Sequence, residues 1–381
     1  MKVIIAPNAL KDSLSAIEAA QVIKAGIVKA DPKVEAVSIP IADGGDGFLQ
    51  VLKHALNGEW KTIEVQGPLG KTVQAAFLYC PRKKLAIVEL ASAAGLALLD
   101  ECEYDIREAS TFGVGQLINA ALELDINHLI LGIGGSATND GAMGLAAALG
   151  IRFLDKNRKE LKSSANNLIN IADIDISRVN EKITSVKFDI VCDVTNPLLG
   201  EHGAAAVFAP QKGADSEDVI FLEKGLSHFA DIIQMSHHID IRNIEGGGAA
   251  GGVGAGLNAL FNANLCKGSE LVLDLLSFET LIQDANLLIT SEGKLDLQTA
   301  FGKAPYVAAK IAKKYDIPVY IIAGQVDKDY QDKLSVFDAI YTLTSNDISS
   351  EYAIKHAAEL MEKTADQLMF DIRNKKNKDN D

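Results

Sequence analysis

The first sixty residues restrict the fold more than any other part of the chain. Val3–Ala6 is a short apolar run, too brief for a helix and suited to a strand covered on both faces. The pattern then changes to a helical period in "NALKDSLSAIEAAQVIKAGIVKA". Ile17, Ala20, Ile23 or Lys24, and Ile27 keep the helical period, and Ser15 with Glu18 has the spacing of a capping box. A second strand at Val34–Ile39 and a second helix at Gly47–Ala55 extend the series to β-α-β-α. Strands joined through helices pair in parallel, so this start demands a parallel sheet covered by helices.

The pattern changes near Lys61. "WKTIEVQGPLGKTVQAAFLYCPRKKLAIVEL" alternates around turn residues, which is antiparallel chemistry. Helices and strands then alternate again: a helix over Thr111–Leu124, a strand His128–Ile133, a helix Gly141–Leu149, and strands at Phe188–Cys192 and Ala205–Phe208. From Ala285 a cleaner βα pattern returns, with strands in "ANLLITSEGKLD", "IPVYIIAG" and "FDAIYTLT" and a helix in "PYVAAKIAKKY". The economical arrangement is α/β with two domains. Residues 1–62 plus 285–381 make a discontinuous, Rossmann-like parallel-sheet domain, and 63–284 an inserted mixed α/β domain. The active site is expected in the interdomain cleft. A length of 381 residues agrees with two cores rather than one. The polar end "RNKKNKDND" is expected to fray.

Composition narrows the class of partner. A net charge of −14 disfavours nucleic acid and anionic membrane over most of the surface. Cys80, Cys102, Cys192 and Cys266 are far apart and none lies in C-x-x-C, which suits reduced thiols in a cytosolic protein. The apolar part of the N-terminus is too short for a signal peptide, and no apolar run is long enough to span a bilayer.

Several loops that follow strands carry chemistry-bearing residues. In "APNALKDSLS", Lys11 and Ser13 stand between a strand end and a helix start, where anions bind; an exposed loop lysine is the plain alternative. In "PIADGGDGF", Asp43 and Asp46 flank two glycines and can hold Mg²⁺ or accept a hydroxyl proton, and the string also reads as a turn with a cap. "ITSEGKLDLQTAFGKAP" brings Glu292, Asp296, Gln298 and Lys303 into one loop. Those residue types are the metal ligands, cations and base or orienting group of phosphoryl transfer. "VCDVTNPLLG" places Asp193 and Asn196 at another strand end, and the run from Glu245 to Leu257 is rich enough in glycine for an anion nest or a hinge.

"LGIGGSATND" contains Gly132-x-Gly134-x-x-Ala137, the spacing of a dinucleotide fingerprint, with Asp155 at the distance of a ribose ligand. An NAD(P)-dependent dehydrogenase of small hydroxy acids is therefore the alternative enzyme class. Against it, Ser136, Thr138, Asn139 and Asp140 make the segment after Gly134 and Gly135 polar, and no catalytic histidine stands out. The polar tail suits contacts to substrate oxygens or a metal, or simply a capped helix start. "GPLGKT", Gly67–Thr72, resembles the end of a phosphate loop but has Val65 where that motif needs glycine, and strand-like alternation follows; it reads as a hairpin turn. His237 and His238 are adjacent and cannot share one helix face as metal ligands.

Taken in order, "APNALKDSLSAIEAA", "PIADGGDGF", "GPLG", "ASAAGL", "ASTFGVGQLI", "LGIGGSATNDGAMG", "NPLLGEHGAAAVFAPQKGA", "GGGAAGGVGAGL" and "ITSEGKLDLQTAFGKAP" resemble the bacterial two-domain glycerate kinase family. The resemblance implies cytoplasmic, ATP-dependent phosphorylation of D-glycerate, with 2-phosphoglycerate favoured over 3-phosphoglycerate. It implies ATP and Mg²⁺ as cofactors, with Lys11, Asp43, Asp193 and Asp296 as catalytic candidates and Asp193 and Asp296 as Mg²⁺ ligands. Ser13, Gly134, Gly135, Ser136, Thr138, Asn139, Asp140, Asn196, Glu292, Gln298 and Lys303 would bind substrate or nucleotide. A homodimer is left open. The chain departs from the family pattern A-P-D-S-F-K-G-S at Asn8, Ala9, Leu10 and Asp12, keeping Lys11 and Ser13; it also carries Asp46, Phe48 and Ser291 where Glu, Thr and Gly are usual.

Overall fold

The computed structural model describes residues 1–44, 47–295, 302–327, 334–345 and 347–378. The strands, in chain order, are β1 (Lys2–Pro7), β2 (Glu35–Ser38), β3 (Glu59–Gln66), β4 (Thr72–Cys80), β5 (Leu85–Glu89), β6 (His128–Gly132), β7 (Arg152–Leu154), β8 (Asp173–Asp175), β9 (Lys187–Val191), β10 (Asn264–Cys266), β11 (Leu287–Leu295), β12 (Val319–Val326) and β13 (Ala339–Thr342). The chain divides into two compact units: Met1–Ala55 with Gly268–Asp381, and Leu56–Lys267.

The first unit is built on a five-stranded parallel sheet, ordered β13-β12-β11-β1-β2. Alternate residues of its strands enter opposite cores. Ile4, Ala6 and Leu288 meet Phe278, Ile282, Ala304 and Ala308 on one face. Val3, Ile5, Leu287 and Ile289 meet Ile23, Ile27, Met361 and Leu368 on the other. The first helix, Ala16–Ala30, starts at the expected capping box: Ser15 accepts from the Glu18 N–H, and Glu18 accepts from the Ser15 N–H at 2.9 Å. It packs closely on the C-terminal helix, Ala357–Lys378, through Gly26, where a Cβ would stand 2.4 Å from the Glu362 carbonyl oxygen.

The second unit has a six-stranded mixed sheet, β10-β9-β6-β5-β4-β3. β3, β4 and β5 pair antiparallel and β5, β6, β9 and β10 pair parallel, so the change of pattern near Lys61 marks a real change of sheet chemistry. Gly67–Thr72 is the hairpin turn between β3 and β4, with Gly70 at φ +83° and the Gly67 N–H donating to the Lys71 carbonyl at 2.6 Å. A small antiparallel ribbon, β7 and β8, lies apart from this sheet.

Four features differ from the sequence expectations. The unit boundaries fall earlier than 62 and 284, because helices Gly268–Leu275 and Phe278–Ile282 bury Leu273, Phe278 and Ile282 in the core of the first unit. Ala204–Phe208 is a helix, not a strand: three successive alanines favour it and Ala204 and Ala205 are fully buried. The expected helix Gly141–Leu149 is shortened to Met143–Ala148, since Gly141 and Ala142 both take positive φ. The polar C-terminus continues the last helix to Lys378 instead of fraying from Arg373. Among the described residues, no helix is long and apolar enough to cross a membrane.

Gly26→Ala brings a methyl group against backbone. Overpacking costs about 1–3 kcal/mol and alanine's helix propensity returns at most about 1 kcal/mol. The variant is expected to unfold at lower urea concentration than the parent; an equal or higher midpoint would show that the two helices separate without loss.

Candidate active site

In the first unit's sheet the chain steps from β1 out to β2 on one side and from β11 out to β12 and β13 on the other. The order therefore reverses between β1 and β11, and the carboxyl ends at such a switch point form the crevice where α/β proteins bind ligands. Asn8 follows β1, Asp43 follows β2, Glu292 lies in β11, and Lys303 precedes the helix Ala304–Lys313.

Hydrogen bonds join these residues into one cluster. The Asn8 side-chain oxygen accepts from the Ala9 N–H at 2.9 Å, which fixes the orientation of the amide. Its nitrogen then donates to Asp43 Oδ2 at 2.7 Å and to Glu292 Oε2 at 3.1 Å. Asp43 Oδ1 accepts from the Ala304 N–H, where a helix start favours negative charge. Lys303 Nζ lies 3.6 Å from Glu292 Oε1. Below the cluster, the Ser291 hydroxyl donates to the Asn8 carbonyl at 3.0 Å and the Asn8 N–H donates to the Ser291 carbonyl at 3.1 Å, tying β11 to the loop after β1.

Burial sets the electrostatics. Glu292 is 7% exposed, and burial pushes its carboxyl up to about 7, with the nearby Asp43 charge adding to the effect and Lys303 and Asn8 opposing it. Asp43 is raised as well, chiefly by burial, against its bonds from Ala304 and Asn8. Each carboxyl holds a proton more readily than it would in water, so the pair changes charge closer to neutral pH.

Two cavities flank the cluster within this unit. One, of about 550 Å³, is bounded by the loops after β1 and β2 and includes Asn8, Lys11, Ser13, Asp43 and Gln50. The other, of about 290 Å³, lies on the β11–β13 side and includes Glu292, Lys294, Lys303, Gln325 and Ile354. Lys11 lines both. The Ser13 hydroxyl donates to the Ile354 carbonyl at 3.0 Å, so it braces the loop. Asp12 adopts φ +61°, a conformation in which glycine is the least strained residue.

The second unit treats its polar loop differently. Gly134 and Gly135 are exposed, whereas Ser136 is largely buried and Thr138, Asn139 and Asp140 are fully buried. Asp140 Oδ2 accepts from the Thr111 N–H and hydroxyl, both at 2.9 Å, and from the Gly144 N–H at 3.1 Å. Lys212 is the residue that sequence reasoning missed here. It is 2% exposed and its ammonium donates to Ser136 Oγ at 2.8 Å and to the Thr138 carbonyl at 2.7 Å. Burial pulls Lys212 down to about 7 and raises Asp140, which in turn opposes the fall of Lys212. The only sequence signal was a lone lysine inside "FAPQKGA".

This geometry removes the dinucleotide reading. The helix after β6 begins only at Met143 and is six residues long, so no helix start follows the glycines to receive a pyrophosphate. Asp155 is half-buried and accepts from the Asn157 and Lys159 N–H groups of its own turn. The glycine run is not an open nest, because Ala249–Leu257 is buried. Gly251, at φ +70°, lets it touch the loop after β6: a Cβ there would stand 2.3 Å from the Thr138 carbonyl oxygen.

Asp193 and Asn196 also lie in the second unit. Asp193 is exposed beyond β9, and the Asn196 amide donates to the His202 carbonyl at 2.8 Å, closing its own loop. Asp46, Asp296 and Gln298 fall outside the described residues. Among the sequence candidates, the structure thus gathers Lys11, Ser13, Asp43, Glu292 and Lys303 in one unit, and Asn8 is the unforeseen donor that joins Asp43 to Glu292.

A parallel-sheet protein with paired buried carboxyls and lysines at its switch point belongs to the class that handles small anionic ligands. The comparisons with known proteins specify that class. The chain matches the glycerate kinase family over residues 3–373. It is 42% identical over 377 residues to the glycerate kinase of Bacillus subtilis strain 168, with 98% of each chain covered. It is also 42% identical over 329 residues to glycerate 2-kinase of Escherichia coli K12, with 86% of each covered. A crystal structure from Salmonella typhimurium LT2 assigned as glycerate kinase 2 matches with a TM-score of 0.90 at 38% identity, covering 99% of both chains. The chain belongs to the glycerate kinase family.

Lys212 makes stability depend on pH with a defined sign. An unfolded lysine titrates near ~10.4. The folded one, drawn to about 7, holds fewer protons between those values, so its contribution to stability grows as pH rises through them. Urea unfolding of the parent and Lys212→Met at pH 6.5 and 9 should therefore differ in the parent's favour more at the higher pH. A difference independent of pH would place the lysine's charge in water.

Proposed function

We propose that this chain transfers the γ-phosphoryl group of ATP to a hydroxyl of D-glycerate, at the 2-position, and that the cluster of Asn8, Asp43, Glu292 and Lys303 is where the acceptor hydroxyl reacts. One observation carries this reading: a buried carboxyl poised near neutral pH, Glu292, stands at the switch point beside a lysine and lines one of the two cavities that flank the cluster. The relatives' names supply the substrate, and the name glycerate 2-kinase the position.

Glu292 is the favoured proton acceptor. A base works best when its pKa lies near the working pH, and such a group contributes roughly 10²–10⁴-fold to rate. Asp43 is the weaker choice, because both of its oxygens accept N–H bonds that orient Asn8 and the helix at Ala304. Lys303 and Lys11 are the cations for the carboxylate of the acid and the transferring phosphoryl oxygens. In a loose transition state this placement of charge outweighs proton removal.

Bound ATP with Mg²⁺ supplies the transferable phosphoryl group and neutralises its oxygens. Among the described residues no three His, Cys, Asp or Glu side chains form a metal cage. Mg²⁺ carried by a nucleotide needs only one or two carboxylates. Asp43, partly buried at the cluster, fits that role within the first unit, and Asp193 is the exposed alternative on the second. Thr138, Asn139, Asp140 and Lys212 support this reading as a buried frame under the exposed glycines rather than as groups that touch the acid.

ADP release coupled to a dehydrogenase, measured with D- and L-glycerate, glycolate, hydroxypyruvate and tartronate, tests the reaction. Turnover with D-glycerate and a phosphorus NMR signal split by the single C2 proton are expected. In the parent, kcat/KM should rise as pH passes through about 7, where Glu292 loses its proton. Glu292→Gln should lose this limb and fall by about 10²-fold or more. No ADP with any of the acids would end the kinase reading, and an unchanged rate in Glu292→Gln would remove that residue as base.

A further inference from the structure

The two cavities beside the cluster differ in charge, and this difference assigns them. We infer that the cavity on the β11–β13 side of the switch point, walled by Leu343, Ala353 and Ile354, is the adenine nucleotide site; the inference rests on the kinase reading above. Among the described residues, Lys11 and Lys303 line it with one carboxyl, Glu292. The neighbouring cavity has Lys11 alone against Asp12 and Asp43. A triphosphate carries three to four negative charges, so the lining with more cations and fewer carboxyls suits it better. The rest of the lining suits a nucleoside. Leu343, Ala353 and Ile354 offer an aliphatic wall for a base, and Gln325, bonded to Ser350, offers polar groups beside it. The lysine common to both cavities, Lys11, stands where a phosphoryl group would pass from one ligand to the other.

The site also has the construction expected of a nucleotide pocket in a parallel sheet. Its floor is the carboxyl ends of adjacent strands, with Gly293 in β11 and Gly324 in β12. A Cβ at Gly324 would stand 2.4 Å from the Gly293 carbonyl oxygen, so the two backbones approach to a distance that only glycine permits. The bond from Ser13 to the Ile354 carbonyl fastens the aliphatic wall to the loop that carries Lys11. Base and phosphate ends of the cavity are thereby held on one framework.

The full chain is irradiated with 8-azido-ATP with and without excess ATP, and labelled peptides are mapped by mass spectrometry. ATP-protected label within residues 343–357 is expected. In parallel, ATP affinity is measured by equilibrium dialysis without glycerate for the parent, Ala353→Trp and Ile354→Glu. Ile354 is about half exposed, so its replacement keeps the core intact should the tryptophan disturb folding. Both folded variants should bind ATP at least tenfold more weakly while KM for glycerate stays within twofold. Protected label confined to residues 8–51 or 131–140, or an ATP affinity within twofold of the parent in Ile354→Glu, overturns the assignment and leaves the kinase reading standing. A parent that neither binds ATP nor forms ADP with glycerate overturns both.

Discussion

The candidate site depends on one amide. Asn8 is the last residue that the β1 strand delivers to the switch point, and its nitrogen is shared by two carboxylates that would otherwise face each other without a proton between them. Two like charges in a half-buried site repel strongly, and burial alone already disfavours each. A neutral donor reduces the repulsion without cancelling the rise in pKa, which leaves Glu292 at about 7. The other contacts serve this arrangement. Ser291 holds the Asn8 backbone, the Ala304 N–H holds Asp43, and Lys303 approaches the outer oxygen of Glu292.

The two units use buried charge for different ends. At the switch point the titrating groups border cavities and can meet a ligand. In the loop after β6, Lys212 and Asp140 are sealed in, and their bonds go to neighbouring loop and helix residues. Of the polar residues in "GGSATND", Ser136 and Asp140 make bonds that shape the loop, and the glycines at its outer turn remain exposed. Close backbone contact with Gly251 completes that frame, which gives the second glycine-rich segment a packing role.

Much of this was legible from periodicity. Val3–Ala6, the capping box at Ser15, and the antiparallel run after Lys61 all formed as local rules require, because propensity, pattern and burial agree there. Ala204–Phe208 was misread because a short apolar run has no period to distinguish helix from strand. The site was half legible. Lys11 and Asp43 lie in loops after strands and Lys303 at a helix start, where position suggests chemistry, whereas Glu292, read as a loop residue, lies within β11. Asn8 and Lys212 act through partners far away in sequence, at Glu292 and Ser136, and no local pattern announces a contact across such distances.

The central claim is that the switch-point cluster keeps Glu292 protonated to near neutral pH, and infrared difference spectroscopy measures this directly. The parent spectrum minus that of Glu292→Gln isolates one carboxylic acid C=O stretch. That band should titrate away near pH 7, as burial beside Asp43 requires, and should move to higher pH in Asn8→Asp, where a third carboxyl enters the cluster. A band lost at about pH 4 to 5, the range of an ordinary glutamate in water, would contradict the account.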